Sequence, residues 1–222
     1  MSHLHVPDGV LPVWLWLPAW LITFVLLSRG AAFAPQRVAY QGALGALVLA
    51  AMAVPLGPFE MHLTLAGPIG VLLGPAAAFP VAFAVSALLA CVGHGGVTVI
   101  GLNTLVLGAV ASVSSLAYGA LAGRARPEWG LAVAAFAGQL VALALWLGIL
   151  FIGARGSGVA AGPVDEHAGH AHDLTMAAFA LPLWLLTTLA EVGVAWGLGS
   201  FLSRVHPALL PVPRAAAAEA AS

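Results

Sequence analysis

Eight histidines stand among only seven basic and eight acidic side chains in this 222-residue chain. Neutral imidazole is the commonest protein ligand for nickel, cobalt, copper and zinc, so histidine placement bears most directly on function. His3 and His5 lie in the amino-terminal run Met1-Ser2-His3-Leu4-His5-Val6-Pro7-Asp8-Gly9. The Met1 amine, the Ser2 and His3 amide nitrogens and the His3 imidazole can offer four nitrogens in a plane, a geometry that favours Ni(II) or Cu(II). If Met1 is removed, Ser2 and His3 supply three, and the fourth must come from elsewhere in the fold. Pro7-Asp8-Gly9 is a turn signal that fixes how the terminus enters the first helix. The competing reading is a disordered end with histidines by chance.

His62 follows Glu60 in Pro58-Phe59-Glu60-Met61-His62, at the mouth of an apolar segment. An ionisable residue at a membrane boundary is a functional candidate, because burying it unpaired is costly. A satisfied interfacial histidine is the plainer alternative. His94 sits in Gly93-His94-Gly95-Gly96-Val97-Thr98, where glycines let the backbone approach a bound group or simply make a tight turn. Asp165-Glu166-His167-Ala168-Gly169-His170-Ala171-His172-Asp173 has metal-attracting composition in a stretch read as a flexible loop. Weak ion scavenging by His167, His170 and His172 and a merely solvated loop both fit it. Glu191, inside the last apolar segment, completes the ionisable candidates.

The elements that must position these groups are transmembrane. With 62% hydrophobic and 7% charged residues, the chain cannot clothe a soluble domain of this size. Seven apolar segments are expected to be helical: Val10 to Leu27, Val38 to Leu56, Leu63 to Leu73, Ala76 to Val92, Val97 to Leu121, Trp129 to Ile152 and Leu174 to Leu202. The third is too short to cross alone and Gly74-Pro75 breaks the chain after it, so six and seven spans stay open, with seven preferred. The fold class is thus an all-α integral membrane bundle. It is one domain over residues 1–205, with an external terminus (1–9), an external loop (154–173) and a cytoplasmic tail (206–222). Alternating spans put Arg29, Arg37, Arg124, Arg126, Arg204 and Arg214 inside and Arg155 outside. The amino end and seven of the eight histidines then face outward, leaving His206 as a cytoplasmic surface residue.

Several functions are disfavoured. The formal charge of −1 gives no basic face for nucleic acid. No lysine is present, so the chain cannot build a P-loop ATPase site. No His-Glu-x-x-His pair marks a metal-dependent hydrolase, so the chain is not read as an enzyme, and no cofactor of its own is expected. Cys91 cannot form an internal disulfide and reads as a packing residue.

The pattern His5-Val6-Pro7-Asp8-Gly9-Val10-Leu11-Pro12, His62 ahead of Val71-Leu72-Leu73-Gly74-Pro75, Gly93 to Thr98 with Gly101 and Asn103, and Glu191-Val192-Gly193 resembles a known family. It is similar to the substrate-binding membrane component of cobalt and nickel energy-coupling factor transporters, the CbiM/NikM family. The resemblance implies a six- or seven-helix subunit with its amino end outside. It implies that a terminal amine, a second-residue histidine and an outer-loop histidine, matching His62, bind the ion. His5 matches by sequence and His3 by distance from a processed amine. On this reading Met1, Ser2, His3, His5 and His62 are the primary metal residues, with His94, Glu60 and Glu191 secondary. Implied partners are a transmembrane coupling subunit and cytoplasmic ATPases, with or without a small accessory membrane subunit, in the cell's inner membrane. The function expected is capture of Co(II) or Ni(II) for ATP-driven import. The alternative is a stand-alone metal channel or secondary transporter, which would need ionisable residues along a midplane path.

Overall fold

The computed structural model describes residues 8, 9, 11–30, 38–54, 62–156 and 166–211. Seven α-helices run in chain order: α1 (Val13–Gly30), α2 (Val38–Ala53), α3 (Ala66–Leu73), α4 (Pro75–Cys91), α5 (Ile100–Leu121), α6 (Pro127–Gly156) and α7 (Glu166–Val205), followed by a 3₁₀ turn at Pro207–Leu209. Stretches of α5, α6 and α7 are long and apolar enough to cross a bilayer, at Ile100–Leu121, Pro127–Ile149 and Leu181–Val205. Three shorter apolar helices, α1, α2 and α4, accompany them. Large apolar side chains such as Leu21, Phe24, Leu186, Leu189 and Phe201 point away from the protein, as a bundle dissolved in lipid requires. The all-α membrane fold expected from composition is the one observed.

Helix α3 is the odd element. Its 8 residues cover about 12 Å, well short of a bilayer core. Ala66, Gly67, Pro68, Ile69, Gly70, Val71 and Leu73 are all buried, so it is a plug inside the bundle rather than a span. It ends where the sequence breaks: the Gly74 amide bonds back to the Gly70 carbonyl at 2.8 Å, and Pro75 opens α4.

Helix α5 is the hub, packing on α1, α3, α4 and α6. Small residues make this closeness feasible in lipid, where contact drives association. A Cβ on Gly70 would run into the Ala111 backbone, and one on Gly101 would come within 2.8 Å of the Trp20 Cα. The Thr23 hydroxyl, buried in α1, donates to the Gly101 carbonyl at 2.9 Å and ties α1 to the start of α5.

Three expectations are corrected. The third apolar segment is helical only from Ala66, because Thr64 and Leu65 just before it give their amides to Glu191 of another helix. The segment read as an external loop over 154–173 is helical at 154–156 and again from Glu166. Past Gly162-Pro163, Ala168 and Ala171 favour helix, and the single Gly169 costs only about 1 kcal/mol and does not end it, so α7 starts eight residues before Leu174. Cys91 is exposed at the end of α4 rather than packed inside.

Candidate metal-capture site

The site is assembled at the amino-terminal end of α5 by three pieces of chain. The first is the turn Gly93–Val99, which returns α4 into α5. Gly93 (φ +81°) and Gly95 (φ +104°) occupy the left-handed region that side chains resist, and this folds the turn tightly. Its His94 amide donates to the Leu89 carbonyl at 2.8 Å, which fixes the base of the imidazole.

The second piece is the entry to α1. Asp8 lies against that turn: one carboxylate oxygen accepts the Val97 amide at 2.8 Å, the other the Thr98 amide at 2.8 Å and the Thr98 hydroxyl at 2.5 Å. Gly96 is required here, since a Cβ would occupy the place of the Asp8 carboxylate. The Trp20 indole donates to the Thr98 carbonyl at 2.7 Å, bracing the turn from the other side. Hydrogen bonds from the Thr98 hydroxyl and the Thr98 amide, with a lesser one from the Val97 amide, hold the Asp8 carboxyl below its ordinary range against the opposing effect of burial. A carboxyl lowered on folding adds stability above its unfolded value and loses it as pH falls through the lowered one. The latch is therefore closed at neutral pH and opens only in acid. It holds Asp8 at this end of the bundle.

The third piece is the run 62–65. The His62 Nε2 lies 3.1 Å from the His94 Nε2, with ring centroids 4.9 Å apart and planes at 76°. The His62 Nδ1 lies 3.3 Å from the Val54 carbonyl. A carbonyl only accepts, so Nδ1–H donates to Val54 and the Nε2 lone pair of His62 faces His94. A carbonyl on the far nitrogen is how proteins orient an imidazole toward a metal.

Glu191 holds this third piece. Its carboxylate, 1% exposed, accepts the Thr64 amide, the Thr64 hydroxyl at 2.8 Å and the Leu65 amide at 3.0 Å. Leu65 takes φ +50°, unusual for a branched side chain, and so aims its amide with that of Thr64 at one acceptor. The carboxylate thus caps the amino end of α3 and bolts the His62 strand to α7. In this structure Glu191 serves the backbone, with both oxygens occupied by donors.

His62, His94 and Glu191 are therefore gathered around one end of the bundle. Met1, Ser2, His3, His5 and Glu60 lie outside the described residues. His167, His170 and His172 fall in the first turns of α7, where side chains are likewise outside the description. Among the described residues no group of three or more histidine, cysteine, aspartate or glutamate side chains could hold an ion. The His62–His94 pair needs further donors. His206 is exposed beyond the other end of α7.

Asp8, Thr64 and Thr98 carry this geometry without having been singled out as site residues. Asp8 was read only as a turn former, and nothing local in the sequence shows that its partner lies 89 residues away.

Comparison with known proteins agrees with this architecture. Residues 5–209 match the model of the family described as CbiM, cobalt uptake substrate-specific transmembrane region. No curated protein sequence matches the chain. The fold is similar to a crystal structure of a truncated transition metal transporter, with a TM-score of 0.72 at 17% identity, covering 91% of this chain and 99% of that one. Matched over nearly its whole length, the chain belongs to the CbiM family of cobalt uptake transmembrane proteins.

Proposed function

We propose that this protein captures Co(II) or Ni(II) at the amino-terminal end of α5, outside the cell's inner membrane, and hands the ion inward as the substrate-specific subunit of an energy-coupling factor importer. The observation that carries the reading is the Asp8 latch on Val97 and Thr98. It fixes Asp8, five residues after His3 and three after His5 in the sequence, against the turn that bears His94, which itself touches His62. The ligands are then His62 and nitrogens of the terminal segment, from Met1 or Ser2 with His3 or His5. Such all-nitrogen sets suit late transition metals over magnesium or calcium. A transmembrane coupling subunit and cytoplasmic ATPases supply the hydrolysis for which this lysine-free chain has no P-loop.

Uptake of radioactive cobalt and nickel by cells carrying the chain with its candidate ATPase partners tests this. Uptake should vanish when the ATPases are omitted or inactivated and when His62 becomes alanine. Uptake that persists without any ATPase would make the chain a stand-alone conductor and end the importer reading.

A further inference from the structure

We infer that His94 is itself a ligand of the transported ion, bound through Nε2 beside the Nε2 of His62. The inference rests on the metal-capture reading of this end of the bundle and adds a second imidazole to it.

The argument is geometric. Metal–nitrogen bonds of about 2.05 Å place two ligand nitrogens about 2.9 Å apart at a right angle and about 3.3 Å apart at the tetrahedral angle. The His62 and His94 Nε2 atoms are 3.1 Å apart, between these values. Two nitrogens in a simple hydrogen bond also reach that distance, so the ring positions must decide. In a straight N–H···N bond each ring lies directly behind its nitrogen, which puts the centroids about 5.4 Å apart. If both lone pairs instead converge on one point about 2.05 Å from each nitrogen, the rings fold toward each other and the centroids come to about 4.8 Å. The observed separation is 4.9 Å. The ring separation thus matches an arrangement in which both lone pairs meet at one ion, at an angle near 98° by the same construction.

The surroundings agree. Each ring is held at its base, His62 through its Nδ1 contact with the Val54 carbonyl and the Glu191 bolt on Thr64 and Leu65, His94 through its amide on Leu89. Both side chains are half-buried, so neither is free to swing into solvent. Among the described residues, the carboxylates of Asp8 and Glu191 do not compete for the ion, because the donors of Val97, Thr98, Thr64 and Leu65 occupy them. Two imidazoles from the bundle leave two positions of a four-coordinate ion for other donors. Fewer deprotonated backbone amides are then needed than in a site with one bundle histidine, and that favours Co(II), which tolerates tetrahedral geometry, alongside square-planar Ni(II).

The experiment uses the full chain in lipid nanodiscs, loaded with Co(II) or Ni(II), in wild-type, His94→Gln, His94→Asn and His62→Ala forms. X-ray absorption counts imidazoles on the ion, calorimetric titration gives affinity, and thermal unfolding of the metal-free protein reports stability. Glutamine and asparagine keep a hydrogen-bonding group beside His62 and remove the imidazole. The inference expects one fewer imidazole and an affinity at least about tenfold weaker in both variants, with metal-free stability kept. An unchanged imidazole count, or affinity within about twofold of wild type in either stable variant, overturns it and leaves His94 as a neighbour that orients His62. Should His62→Ala bind as tightly as wild type, the capture site itself is misplaced, a failure distinct from that of His94.

Discussion

At the amino-terminal end of α5, two imidazoles touch while the carboxylates of Asp8 and Glu191 are taken up by backbone amides. At the carboxy-terminal end, 22 residues or about 33 Å away, arginines dominate instead. There Arg126 pairs with Glu128 at 2.8 Å and Arg124 donates to the Ala120 carbonyl. The Gly199 backbone packs against Glu128, and a cavity of about 290 Å³ opens among Tyr118, Pro127, Gly130, Ser203 and Leu210. The contrast separates two uses of charge. At the first end carboxylates fix backbone amides and leave two imidazoles facing each other. At the second, cations crowd a helix junction, as expected of the cytoplasmic face.

The sharpest way to break this contrast is to exchange the ends' roles in an affinity measurement. His62→Ala should weaken Co(II) and Ni(II) binding by about a hundredfold or more, whereas Arg126→Ala should leave it unchanged. Equal effects, read by calorimetry, would erase the difference between the ends. Next in size is a change that spares both ends and strikes between them. Gly70→Val must displace α3 from the Ala111 backbone, and an overpacked core typically loses about 1–3 kcal/mol. Thermal unfolding of the metal-free protein should fall by several degrees, and a wild-type transition would show that α3 does not pack so closely.

A comparable effect is expected at the bolt. Glu191→Ala strands the buried Thr64 amide, at about 1–3 kcal/mol for a buried donor left unmade, and frees the part-buried Leu65 amide, while Glu191→Gln keeps one acceptor oxygen and should lie between alanine and wild type. Metal affinity should follow the same order, since the strand that loosens carries His62. Identical affinity in all three would detach α7 from the site. Asp8→Asn is expected to act least, weakening binding about tenfold with little change in unfolding temperature, because the latch is exposed. Its pH dependence sharpens the point. The Asp8 carboxyl is held low, so the latch should stay closed down to about pH 5 and open below the ordinary carboxylate range. Amide exchange at Val97 and Thr98 follows that opening, and fast exchange at neutral pH would contradict it.

How much of this was legible in the sequence follows from the range of the forces involved. Composition and apolar run length located the helices, because lipid imposes both on every span. The Gly74-Pro75 break and the shortness of the third segment were visible for the same local reason. His62 and His94 could each be named as a candidate, but their contact could not, since 32 residues separate them. Glu191 was visible as an ionisable residue in an apolar run, and the sequence suggested a secondary ligand. Its position against Thr64 and Leu65, 127 and 126 residues away, shows a carboxylate that caps α3. The start of α7 was misread because histidine and acid composition looked like a loop, while the alanines between them favour helix.

The central claim is that one transition-metal ion binds at the amino-terminal end of α5, far from Arg124 and Arg126. Pulsed electron resonance between bound Cu(II) and a nitroxide at Arg126→Cys, with the exposed Cys91 changed to serine, measures that separation directly. A Cu(II)–nitroxide distance on the order of 30–35 Å is expected from the length of α5. A distance under about 20 Å would place the ion near the arginine end and contradict the account.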